Sequence, residues 1–142
     1  MRKTKYGSKK TIVDNIEFDS KDEARYYVYL KKEVQEGRIL KFELQPKYVL
    51  IPKFEKLGVK HRQATYSPDF KIFKADGTVE LIDVKGFSTQ QGDLRRKLFD
   101  SLYQEKLIWV CRNLKYGNKD GWIEYEELKK KRAKRKKEEQ YE

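Results

Sequence analysis

The sequence predicts a single α/β domain: a central mixed sheet flanked by helices. Three observations carry this. A capped amphipathic segment opens at Ser20 and stops at Gly37. Residues Val79 to Lys85 alternate faces with the period of a half-buried strand. An apolar run, Leu107 to Cys111, follows a second helical segment. Helix, several strands, helix, strand is an order that a sheet covered by helices accommodates. A chain of 142 residues suffices for one domain with one core. Apolar residues are only 37% of it, but aromatics reach 13%, enough for a substantial interior.

The elements follow in order. Residues 1–10 carry five basic groups and no acid, and read as a disordered basic arm. Thr11 to Phe18 alternates around Asp14-Asn15, a short hairpin. The first helix has Ser20 as N-cap, and Glu23 three residues later completes a capping box. Gly37 is its natural stop. Ile39 to Leu44 and Lys47 to Ile51 read as strands broken at Gln45-Pro46. Pro52 to Gln63, polar and basic, reads as a loop. Strands follow over Tyr66–Phe73 and Thr78–Lys85, joined by a turn at Ala75-Asp76-Gly77. Gly86 to Gly92 is a turn region. A second helix is predicted over Asp93–Glu105, then the buried strand 107–111, then a loop over 113–121. Trp122 to Leu128 leads into a C-terminal segment that is helical at least in part. The domain thus spans 11–128, and 129–142 is a basic tail or helix extension. No internal repeat is visible.

Composition excludes several classes. No stretch approaches the roughly 20 apolar residues of a membrane span. The N-terminus lacks the apolar core of a secretory signal, so the expected location is cytoplasmic. One cysteine forbids an internal disulfide, and one cysteine with one histidine makes a poor zinc site. Cys111 reads as a buried structural thiol, and His61, beside Arg62, as an exposed residue. Net charge is +11, concentrated in the N-terminal arm and in residues 129–137, which hold eight basic groups. Such blocks often contact nucleic acid.

The chemistry centres on Pro68-Asp69 and, fourteen residues after Asp69, on Asp83-Val84-Lys85. Asp83 and Lys85 share a strand face with Val79 and Leu81. Asp is depleted in strand interiors, so the pair is either a structural ion pair or a working one. Asp69 alone could merely cap a turn after proline. Glu23 is explained by its capping box, yet Tyr27, Leu30 and Val34 lie within about 40° of it on the helical wheel. A carboxylate on an apolar stripe is unfavourable unless paired or bound to a cation. Phosphodiester hydrolysis uses such a set. Two carboxylates hold magnesium through hard oxygen ligands while leaving positions for water and phosphate. An adjacent lysine orients or helps deprotonate the water and contacts phosphate. A third carboxylate on a nearby helix holds a further water.

The ordered set resembles the PD-(D/E)XK nuclease superfamily, over roughly residues 18–111. Phe18-Asp19-Ser20-Lys21-Asp22-Glu23-Ala24, Gln45-Pro46, Ser67-Pro68-Asp69-Phe70 and Asp83-Val84-Lys85-Gly86 are similar to small phage-encoded endonucleases. The resemblance implies a restriction-endonuclease-like core in α-β-β-β-α-β order. It implies Glu23 as the helix acid, Asp69 and Asp83 as metal ligands, and Val84 as a ligand through its carbonyl. Lys85 would be the catalytic lysine. On the second helix, Arg95, Arg96 and Lys97 are basic, and Lys97 is the candidate facing the site, with Gln91 behind it. Gln45 either orders Glu23 or a metal-bound water, or merely ends its strand.

The resulting expectation is a magnesium-dependent DNA endonuclease, with manganese able to substitute. No base-reading motif stands out, so structure-selective cleavage is expected, by analogy at a four-way Holliday junction or other branched DNA. Paired nicks would require a homodimer. Phage recombination or repair in the bacterial host cytoplasm is the implied setting. The rival is a non-catalytic basic nucleic-acid-binding protein, which accounts for the charge blocks but not for Glu23 or the Asp83–Lys85 face. An RNase H-like metallonuclease would have no use for that lysine.

Overall fold

The computed structural model describes residues 9–141. The predicted basic arm lies outside the described residues except for Lys9 and Lys10, which are exposed. Strands β1 (Thr11–Val13) and β2 (Ile16–Phe18) form the expected hairpin. Asp14 and Asn15 occupy its turn at φ 52° and 63°, the left-handed pair that a two-residue hairpin needs and that short polar residues tolerate.

Helix α1 (Lys21–Gln35) begins as its cap dictates, with Ser20 Oγ accepting from the Glu23 N–H at 3.1 Å. It ends in a Schellman turn: Arg38 N donates to Glu33 O at 3.0 Å and Gly37 N to Val34 O at 3.1 Å. Gly37 sits at φ 77° there, where a side chain would be strained.

The chain then lays down β3 (Ile39–Leu44) and β4 (Tyr48–Ile51). Residues 52–63 are not a simple loop. They contain a second hairpin, β5 (Phe54–Lys56) with β6 (Val59–His61). Leu57-Gly58 supplies its turn, a pair whose leucine gave no turn signal. The predicted strand 66–73 is also two pieces, β7 (Ala64–Tyr66) and β8 (Phe70–Lys74). Pro68, which has no N–H to donate, interrupts the ladder between them and is fully buried. Strand β9 (Val79–Val84) follows. Helix α2 (Gln90–Leu102) starts three residues before the expected Asp93, because Thr89 Oγ1 caps it through the Gly92 N–H at 3.0 Å. Strands β10 (Lys106–Arg112) and β11 (Trp122–Glu124) precede α3 (Tyr125–Gln140), so the basic terminal segment is helical.

The architecture is α/β. Five strands form one mixed sheet in the order β11-β10-β9-β8-β3. Among the described strands only β9 and β10 are parallel, and α2 makes the crossover that parallel neighbours require. Register slips between Ile39 and Lys41, a bulge on outer strand β3. Short pairs β4–β7 and β5–β6 stand apart from this sheet.

Each face of the sheet buries its own cluster. On the α1 side, Tyr26 and Leu30 pack with Phe70, Ile82, Val110 and Trp122. Tyr26 meets Trp122 edge-on at 4.9 Å. On the α2 side, Leu81, Tyr66, Leu107 and Trp109 surround Phe99. Burying each such large side chain contributes about 1.5–3 kcal/mol. Cys111 is buried as expected, its thiol raised above its ordinary pKa chiefly by that burial. Among the described residues no helix is long and apolar enough to cross a membrane.

Helix α3 is buried only in its first turn. Leu128 is buried, and Tyr125 meets Trp109 at 5.8 Å. Arg96 on α2 bonds Glu126 at 3.2 Å. The side chains of residues 129–140 are exposed; the basic run extends from this anchor for about 18 Å, with Lys131 5.8 Å from the Tyr116 ring centre and Arg135 bonded to the same tyrosine.

Candidate active site

The carboxyl ends of parallel strands are where open α/β sheets hold ligands, and Asp83 lies near that end of β9. It is 4% exposed. Phe70 pairs with Ile82, so the next step of the antiparallel ladder sets Asp69 opposite Asp83. Each aspartate ties its side chain to the other's strand. Asp83 Oδ1 accepts from the Asp69 N–H at 3.1 Å, and Asp69 Oδ2 accepts from the Val84 N–H at 2.8 Å. Asp83 Oδ2 accepts the Tyr66 hydroxyl, and Lys85 Nζ lies 3.5 Å from the same oxygen. The sequence break at Pro68 therefore has a purpose in the fold: it turns the chain so that Tyr66 and Asp69 approach Asp83 from one segment.

Glu23 joins from the opposite layer. Its carboxylate accepts from the Asp19 N–H, one residue before the cap, and lies within electrostatic reach of Asp83 and Lys85. A cavity of about 70 Å³, lined by Phe18, Glu23, Leu44, Gln45, Asp69 and Phe70, separates it from β8. A water's share of liquid is about 30 Å³, so one or two waters or a cation fit. Gln45 occupies a left-handed bend at φ 46° and donates its N–H to the Asp69 carbonyl at 3.0 Å.

The electrostatics are those of an acidic cluster short of positive charge. Burial, then repulsion from Asp19 and Asp83, pushes Glu23 from its ordinary 4.5 up to about 7. Burial, then Asp83 and Glu23, holds Asp69 well above 3.8. Tyr66 is raised far above the usual phenol range by burial and by the adjacent Asp83 charge, so it stays a hydrogen-bond donor.

Glu23, Asp69, Asp83 and Lys85 are thus brought together. Lys97 and Gln91 are exposed on α2, and among the described residues neither enters the site's hydrogen bonds or ion pairs. The α2 cation that reaches inward is Arg96. Its guanidinium lies 4.7 Å from the Trp109 ring centre, with Lys85 Nζ 5.6 Å from the same ring. Trp109 pairs with Asp83 across β9–β10. Val84 contributes its N–H to Asp69.

Among the described residues, no group of three or more histidine, cysteine, aspartate or glutamate side chains stands in the geometry of a finished metal site. The donor types nevertheless suit a hard divalent cation: neighbouring carboxylates that feel one another's charge, with no thiolate and no imidazole. Carboxylates retain lone pairs beyond the bonds described, and a cation would offset the burial and the mutual repulsion that raise Glu23 and Asp69.

A pH dependence follows. A carboxyl whose folded pKa is raised contributes stability that is complete below its unfolded value and is lost as pH rises toward the folded one. For Glu23 that window runs from 4.5 to about 7. Discounted for partial exposure, the loss is about 1–2 kcal/mol. In chelator, wild-type Tm relative to Glu23→Gln should therefore fall by about 3–8 °C across this window. Parallel Tm profiles for the two proteins would contradict it.

Fold and site together define an α/β protein with a mixed sheet and a carboxylate–lysine cluster at its strand ends. A family model described as "Protein of unknown function (DUF1064)" matches residues 3–118, and the chain belongs to that family. No curated protein matches it.

Proposed function

We propose that this protein is a metal-dependent DNA endonuclease of the PD-(D/E)XK type. The observation that carries the reading is the meeting of Glu23 from α1, Asp69 from the residue before β8, Asp83 from β9, and Lys85 from the residue after it. Asp69 and Asp83, with Glu23 and the Val84 carbonyl, would hold magnesium, or manganese in its place. The bound ion would neutralise phosphate charge and make its water more acidic. Tyr66 and the Asp69 N–H fix the Asp83 carboxylate against rotation. Lys85, held between Asp83 and the Trp109 face, offers an ammonium to the attacking water or to a phosphate oxygen. Arg96 adds a second cation on the same side.

The basic helix α3 leaves the fold beside this site, through Tyr125 on Trp109. It is suited to follow phosphates away from the cut. Branched DNA is the proposed substrate and a homodimer the proposed form, both by the resemblance drawn above; the location follows as cytoplasmic.

The direct test is incubation with magnesium and labelled junction, flap, duplex and single-stranded DNA. Cleavage of at least one supports the reading. All four remaining intact while still bound would favour the non-catalytic alternative. Truncation after Leu128 keeps the α3 anchor and removes the eight basic groups of residues 129–137. If half of them touch phosphate, the slope of log affinity against log salt becomes shallower by about 4. An unchanged slope in a salt titration would exclude α3 from the DNA path.

A further inference from the structure

We propose that the β5–β6 hairpin is a wedge that inserts its tip into the base stack of duplex DNA near the scissile phosphate. The cutting position rests on the nuclease reading; the insertion does not.

Every residue from Ile51 to Gln63 is exposed. Leu57 is 93% exposed at the tip, with Val59 and Phe54 about half exposed behind it. These side chains have no interior to fill. Leu57 also adopts φ 51° and Gly58 φ 77°, the left-handed pair of a tight hairpin turn. Asn or Asp favours the first of these positions, and a leucine there is strained. Thus neither turn chemistry nor solubility explains leucine at the tip. Exposed strain of this kind points to function.

The flanks choose the partner. Within residues 52–63 lie Lys53, Lys56, Lys60 and Arg62, against the single acid Glu55. Phe54 pairs with His61, and their rings stack at 4.5 Å with 9° between planes. Lys56 and Val59 share that face, since directly paired residues point the same way. A flat aromatic platform beside cations suits bases and phosphates together. A two-stranded ribbon fits a groove of B-DNA, and apolar side chains between base steps kink the duplex.

Placement links the tip to the chemistry. Strand β7 ends at Tyr66, which holds Asp83, and β7 pairs with β4 on the way out to the hairpin. Leu57 is nine residues from Tyr66. An extended chain of that length reaches at most about 30 Å, or roughly nine base pairs at 3.4 Å each.

Leu57→Asn is the informative variant, because asparagine favours the turn and the hairpin should keep its fold. The probe is a 30-base-pair duplex carrying 2-aminopurine at successive positions, mixed with protein in calcium, with sedimentation run in parallel. Wild type should raise fluorescence several-fold at one step, and Leu57→Asn should abolish that rise and weaken binding about ten-fold. Tm should be equal or higher in the variant. No fluorescence rise at any position, or an equal rise with Leu57→Asn, overturns the wedge. So does loss of a dimer in Leu57→Asn without change in DNA binding, which would make the tip a contact between copies. In magnesium, a persisting wedge signal without any cleavage sinks the nuclease reading and leaves the wedge standing. Unimpaired cleavage and fluorescence in Leu57→Asn does the reverse.

Discussion

Asp83→Ala is expected to reduce magnesium-dependent cleavage by about 10³-fold or more, the scale on which single electrostatic groups at a reacting phosphate act. The side chain is nearly inaccessible and receives the Tyr66 hydroxyl, the Asp69 N–H and the Lys85 ammonium. Its removal takes away a proposed cation ligand and frees Lys85 from its anchor. DNA binding should persist or tighten, because one negative charge leaves the path of an approaching phosphate. Tyr66 is left without its acceptor at a cost of about 1–3 kcal/mol, partly offset by weaker repulsion on Asp69. Asp83→Asn keeps the shape and isolates the charge. Single-turnover cleavage and a binding isotherm on the same labelled DNA make the comparison. Undiminished cleavage by either variant would remove Asp83 from the mechanism.

Phe99→Ala is expected to cost about 3–5 kcal/mol, a large share of the roughly 5–15 kcal/mol that stabilises a domain. Phe99 is the one residue that α2 buries completely. Its ring meets Tyr48 at 5.2 Å, Tyr103 at 5.1 Å and Tyr66 at 5.9 Å. The cavity would lie directly beneath the tyrosine that holds Asp83, so remaining folded protein should also cleave more slowly. Urea midpoints measure the effect, with the 59%-exposed Leu94→Ala on the same helix as reference. Equal midpoints for the two variants would show that α2 is not docked through Phe99.

Much of this arrangement is legible in the sequence, for identifiable reasons. Glu23 and Asp83 could be placed because a cap sets the phase of a helix and alternation sets the faces of a strand. Asp69 opposite Asp83 required the register between β8 and β9, which periodicity does not contain. Tyr66 and Trp109 read as ordinary core aromatics, since their roles depend on neighbours across strands. Arg96 stands beside Lys97 in a basic run, and which of the two faces the sheet depends on how α2 packs. The leucine stripe of α2, Leu94, Leu98 and Leu102, does not mark its buried face, since Leu94 and Leu102 are exposed and only Phe99 is fully buried; its Thr89 cap falls in a segment that reads as a turn. The β5–β6 hairpin was hidden because leucine takes the place where asparagine would have signalled a turn.

The bulged outer strand β3 bears on how copies of this chain can meet. An open strand edge is a template onto which another chain can add its own backbone. Here the register slip at Ile39/Lys41 spoils that template. Lys41 lies 4.6 Å from the Phe73 ring centre and 3.8 Å from Glu43, so charge covers the apolar surface nearby. Continuous sheets running from copy to copy are therefore disfavoured along this side, and concentrated protein is protected there against fibrillar association.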